Sequence, residues 1–203
     1  MQAPCSGIRR ELMIARITPW GVVAAIFAAQ FCGAVVVAAA FQMDFRDLGF
    51  QLLILFLGCV SALVFLRRDR DNRPNDFRWW IPPCLYALFI FLMSDDAYPD
   101  ALPLFDTNIF HPIEYLTLAF LLGFAFDRVF RYRSAGGLCL FVFCTGGFWA
   151  VCDEIHQSFV PGRTPTFADI AIDFFGIAAG CAVYLAFRRL PLMKPGAGEK
   201  SPA

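Results

Sequence analysis

Charge is scarce in this chain. Lys, Arg, Asp and Glu make up 17% of its 203 residues and the two signs cancel, which excludes a protein that works through a strong global field, as nucleic-acid binders do. Histidine occurs only twice. Neither H-x-x-x-H nor H-E-x-x-H spacing is present, so no zinc-protease helix is encoded, and no G-x-S-x-G nucleophile elbow appears. The eight cysteines include no C-x-x-C pair and fall mostly inside apolar runs. There they read as small packing residues, and neither a disulfide framework nor a zinc site is favoured. Internal repeats and low-complexity segments are also missing.

What fills the chain is hydrocarbon. Hydrophobic residues account for 59% of it, with 24 Phe, and the mean hydropathy is +0.60; a soluble fold of this size exposes far more charge. Runs near the ~20 residues that cross ~30 Å of hydrocarbon occur at 20–41, 48–66, 79–94, 109–126, 136–152 and 170–187. The third is the shortest and carries Pro82 and Pro83 near its start, where the first turn of a helix tolerates proline. The pattern predicts an all-α, polytopic integral membrane helix bundle of about six transmembrane helices. It divides into an N-terminal helix pair with a basic loop (1–78), a four-helix membrane domain (79–189) and a disordered tail (190–203).

Basic residues set the expected orientation. Of the 17 Lys and Arg, all but Arg46 and Arg163 lie at the amino terminus, after the second run, after the fourth run or in the tail. By the positive-inside rule both termini are cytoplasmic. "VAAAF" offers a signal-peptide cleavage pattern at Ala38 and Ala40, but the first run exceeds the ~7 to 15 residues of a signal core, which favours an anchor.

The polar exceptions are concentrated. The stretch "CDEIHQSFVPGRTPTFADIAIDFFGIAAG" puts Asp153, Glu154, His156 and Gln157 at the end of the fifth run. It puts Arg163 in the following loop and Asp169 and Asp173 at the start of the sixth run. "HPIEY" opens the fourth with His111, Glu114 and Tyr115, and the topology places both groups at the outer end. Helical spacing gives His111, Glu114 and Tyr115 one face and Asp153, His156 and Gln157 another, with Glu154 about 100° from Asp153. Asp169, Asp173, Gly176 and Gly180 form a third stripe, whose glycines admit a neighbouring backbone. Any one of these residues reads equally well as structure: Asp169 as an N-cap, Thr164 and Thr166 as partners of loop backbone, Tyr115 as packing. The cluster is harder to dismiss, because a charge at bilayer depth costs roughly 2.5 to 3.5 kcal/mol and Asp173 lies more than one turn inside its helix. Such residues are expected to face a polar cavity.

The pattern D-E-x-H-Q-x-F-x-P-G-R, then Asp, then G-x-x-x-G, with His111, Tyr115 and Ser94 ahead of it, resembles the VanZ-like family of small bacterial membrane proteins. The resemblance covers about 79–187 and leaves the first helix pair outside. Asp173 stands where that family is expected to carry Asn, and the Lys often found before the fourth-helix His is absent from "DTNIFH". The resemblance implies a multi-pass protein of the bacterial cytoplasmic (inner) membrane, in a family named for a link to resistance to the glycopeptide teicoplanin, which acts on cell-wall precursors outside the membrane.

Glu114, Asp153, Glu154, Asp169 and Asp173 face only Arg163 among fixed cations, a balance that suits an amine-bearing headgroup or a divalent ion better than a bare phosphate. One expectation is a binding protein for an envelope lipid, cell-wall precursor or glycopeptide, with Arg163 paired to Asp153 or Asp169 and holding its loop as a lid. The alternative is an intramembrane enzyme, a hydrolase or transferase acting on a lipid-linked substrate. Asp153, Glu154 and His156 are its catalytic candidates, and a metal between His111 and His156 is its weakest element. A third is a noncatalytic partner of another envelope protein. No cofactor is expected; the expected partners are membrane lipids, without nucleic acid.

Overall fold

A computed structural model of the chain describes residues 18–46, 48–68, 76–95, 110–132, 134–163 and 166–190. The expected disordered tail beyond 190, Thr164 and most of the basic loop after the second run lie outside these residues.

Six α-helices form among the described residues, and most have a readable start. α1 (Pro19–Ala40) begins at Thr18, whose side chain accepts from the Gly21 amide at 3.1 Å. α2 is Gly49–Arg68 and ends on Arg67 and Arg68, the charge sign that suits a helix C-terminus. α3 (Ile81–Ser94) follows a 3-10 turn, Phe77–Trp80, and accommodates Pro82 and Pro83 in its first turn. α4 (His111–Phe130) has Pro112 in its first turn and stops at Arg131, which is left-handed at φ 52°. α5 (Ala135–Gln157) is capped by Ser134, and α6 (Phe167–Arg188) opens with a capping box between Thr166 and Asp169. The six apolar runs therefore each hold a helix, but α5 and α6 reach past their runs into the polar stretch. Apolar composition marks the lipid-crossing part, whereas backbone bonding and caps set the ends.

Five of the helical segments are long and apolar enough to cross a membrane among the described residues; α4 is not one of them. Glu114, Asp127 and Arg128 lower its apolar character, yet it is the most enclosed helix, with 13 of its 20 residues buried. α1 and α2 are the reverse: they present Val36, Phe50 and Phe56 outward, at 66%, 74% and 53% exposure, as lipid-facing helices do. The charged helix is the axis, and apolar helices shield it from lipid.

Aromatic contacts fix which ends meet. Trp20 of α1 stacks on Trp79 at 3.8 Å, Trp79 on Phe124 of α4 at 5.6 Å, and Phe124 meets Tyr184 of α6 at 5.1 Å. The starts of α1 and α3 thus lie beside the ends of α4 and α6, at the aromatic end of the bundle. The opposite, acidic end gathers the ends of α3 and α5 and the starts of α4 and α6. α4 and α6 touch backbone to backbone at that end: a Cβ on Gly176 would meet the Pro112 carbonyl, and one on Gly180 the Leu116 carbonyl. That is the close approach expected of the glycine stripe.

Candidate functional site

Because α6 can press against α4 at Gly176, Asp173 one turn earlier comes to face His111. Nδ1 of His111 lies 3.3 Å from Oδ1 of Asp173, with both residues buried. Glu154 of α5 completes this group: one ligand atom each from His111, Glu154 and Asp173 lie within 4.8 Å of one another. Oδ2 of Asp173 and both carboxylate oxygens of Glu154 are enclosed without a hydrogen-bond partner.

The preceding residue of α5 turns elsewhere. Asp153 faces the end of α3, where Ser94 Oγ donates to its Oδ2 at 2.9 Å. Gln157, one turn on, donates through Nε2 to the same oxygen at 3.0 Å and to Ser94 Oγ at 3.3 Å. The rotation of about 100° between consecutive helical residues thus sends one carboxylate of α5 toward α3 and the next toward α4 and α6.

The remaining candidates separate. His156 packs its ring 4.2 Å from that of Phe91 and brings Nε2 within 3.4 Å of the exposed Asp95, without hydrogen-bond alignment. It stands at the rim, on the α3 side, while His111 is grouped with Asp173 and Glu154. Arg163 donates through Nη2 to the Met93 carbonyl at 3.4 Å, which ties the loop after α5 to the end of α3; Gly162, at φ 87°, supplies the left-handed turn before it. Asp169 closes the capping box, accepting from the Thr166 hydroxyl at 2.8 Å and amide at 3.2 Å. It is the third residue of the helix, while Thr166 is the cap. Tyr115 is fully buried, and its hydroxyl has no hydrogen-bond partner.

A cavity of about 340 Å³ lies beside the cluster, bounded by α1, α2, α3, the start of α4 and the loop after α5. Its polar lining is Gln30, Gln51, Ser94, His111, Glu114 and Arg163, and much of the remaining wall is apolar, including Val37, Leu52 and Phe89. Gln30 and Gln51 were not among the residues singled out from sequence. Gln30 accepts from the Tyr86 hydroxyl at 2.8 Å and donates to Thr117 at 3.1 Å, and Gln51 donates to the Leu92 carbonyl at 3.2 Å. The available signal was an amide inside an otherwise apolar run, which must turn toward protein to be satisfied.

The aromatic end also carries charge, in a different state. Tyr184 donates to Asp127 Oδ2 at 2.8 Å. Nη2 of Arg188 lies 3.2 Å from Asp127 Oδ1 and donates to the Tyr132 carbonyl at 2.6 Å. Arg128 sits over the Trp79 ring at 5.6 Å.

Apolar helices enclosing a charged central helix, with a histidine-carboxylate chamber at one end, define a multi-pass membrane protein with an embedded polar site. The model of the VanZ/LLP1 family matches residues 14–188, and the chain belongs to that family. The match takes in α1 and α2, so it extends beyond the stretch that carries the motif resemblance and includes the helix pair left outside it. No curated protein and no solved structure gives a significant match.

Proposed function

We propose that this protein binds an amphiphile of the bacterial envelope, a membrane lipid or lipid-linked cell-wall precursor. In this reading the headgroup lies at Ser94, His111, Glu114 and Arg163, the first methylenes lie against Leu52 and Phe89, and the acidic end faces outward from the inner membrane. The observation that carries it is the cavity, which joins an apolar wall to a polar lining shared with the buried cluster. Its volume of about 340 Å³ is near the lower bound of ligand pockets. That suits a headgroup with a short length of chain, whereas a whole glycopeptide would have to rest across the rim. The lining sets one carboxylate, Glu114, beside Arg163 and His111, a balance that suits a headgroup carrying both an amine and a phosphate. A role in teicoplanin-type resistance follows if the bound amphiphile is the precursor that such antibiotics recognise.

Native mass spectrometry of the protein taken from its membrane tests the binding. The expected result is a copurifying lipid that disappears in Leu52→Trp, which fills the cavity, while the variant still unfolds cooperatively. A lipid-free wild type, or the same lipid retained in Leu52→Trp, sinks the reading. Orientation is checked in intact cells with an impermeant thiol reagent in a cysteine-free background. Ser158→Cys should react and Arg131→Cys should not.

A further inference from the structure

We propose that His111, Glu154 and Asp173 form a binding site for one divalent first-row transition ion, of the zinc or manganese type. The site shares only His111 with the amphiphile reading, since Glu154 and Asp173 do not line the cavity. Three helices, α4, α5 and α6, each send one side chain to a common point, and the three ligand atoms lie within 4.8 Å of one another. Ions of this class hold nitrogen and oxygen ligands at about 2.0 to 2.2 Å, which sets ligand atoms about 3 to 4.4 Å apart. Small side-chain rotations therefore close the site.

A second observation points the same way. Glu154 is 5% exposed, and neither of its carboxylate oxygens has a hydrogen-bond partner; Asp173 is 0% exposed, and its Oδ2 has none either. Polar groups enclosed in a bundle are normally bonded, because desolvation without a partner is costly. These oxygens belong to the two carboxylates that are grouped with His111. A doubly charged ion would satisfy them and offset two desolvated negative charges together. The donor set of one imidazole and two carboxylates selects the class: it is too nitrogen-rich and too small for calcium, which takes six to eight oxygens, and it offers zinc or manganese an acceptable mixed set.

The test uses the full chain in detergent, stripped with a chelator and titrated calorimetrically with Zn²⁺ and, separately, Mn²⁺. The expected result is one equivalent per chain, weakened by at least about tenfold in Glu154→Gln and in Asp173→Asn. Asp169→Asn, which touches only the capping box, should bind as wild type does. Pulsed electron paramagnetic resonance of the Mn²⁺-loaded wild type should show coupling to one imidazole nitrogen, lost in His111→Gln. Absence of stoichiometric binding by either ion overturns the proposal. So does unchanged affinity in Glu154→Gln and Asp173→Asn, or Mn²⁺ bound without nitrogen coupling. The wild-type titration and spectrum decide the matter even if a variant fails to fold, and neither depends on whether a lipid copurifies.

Discussion

The two ends of the bundle carry charge in opposite ways. At the aromatic end Asp127 meets both Tyr184 and Arg188, and Arg188 is further bonded to a backbone carbonyl. At the acidic end Asp153, Glu154 and Asp173 leave four enclosed oxygens unpartnered. α4 and α6 contribute to both groups, so a packing failure common to these helices does not explain the difference. One end spends its charges on holding helices together. The other keeps buried carboxylates under-bonded, which opposes stability and is the pattern expected where a protein must receive something.

The largest effect should come from separating α4 and α6 at the acidic end alone. Gly176→Val drives a side chain into the Pro112 carbonyl, backbone that cannot rotate away, and is expected to cost about 3 kcal/mol, read as a lowered thermal midpoint in detergent. Fluorescence of the stacked Trp20 and Trp79 should report no change before the main transition; an unshifted midpoint would mean the seam is looser than described. Next is Asp127→Asn, which removes the partner of Arg188 where the two side chains are 17% and 31% exposed. About 2 kcal/mol of destabilisation is expected, between the values of exposed and buried pairs. Adding Arg188→Gln should recover part of the loss.

The comparison is sharpest in the third case, where the sign reverses. In chelator, Glu154→Gln removes a desolvated charge that has no partner and should raise stability by about 1 kcal/mol. Equal destabilisation by Asp127→Asn and Glu154→Gln would erase the distinction between the ends. The smallest effect belongs to Asp169→Asn, which weakens an exposed capping box by about 0.5 to 1 kcal/mol and leaves ion binding untouched.

All six helices were legible from apolar runs, five of them because hydrocarbon thickness dictates their length, and the spacing of Asp153 and Glu154 already separated their directions. Their partners were not legible. Whether a carboxylate on α5 meets Ser94 or His111 depends on helix packing, which sequence spacing does not encode. The same limit hid the separation of the two histidines: both lie at the acidic end, but that leaves the position around the bundle open. Hydropathy is equally blind to the central place of α4, since a side chain facing protein and one facing lipid can be the same phenylalanine. Gln30 and Gln51 were visible as isolated amides but belong to runs whose composition otherwise says only that they cross a membrane.

The enclosure of α4 has a consequence for how the chain reaches the membrane. A segment holding Glu114, Asp127 and Arg128 gains little by leaving the insertion channel alone, because the helices that shield those charges include α5 and α6, which are synthesised after it. α4 should therefore wait at the channel, or slip back, until its successors arrive, and α4, α5 and α6 should enter as a cooperative set. A chain ending after Phe130 is expected to show α4 incompletely inserted in a glycosylation-mapping assay, whereas one ending after Arg188 inserts it fully.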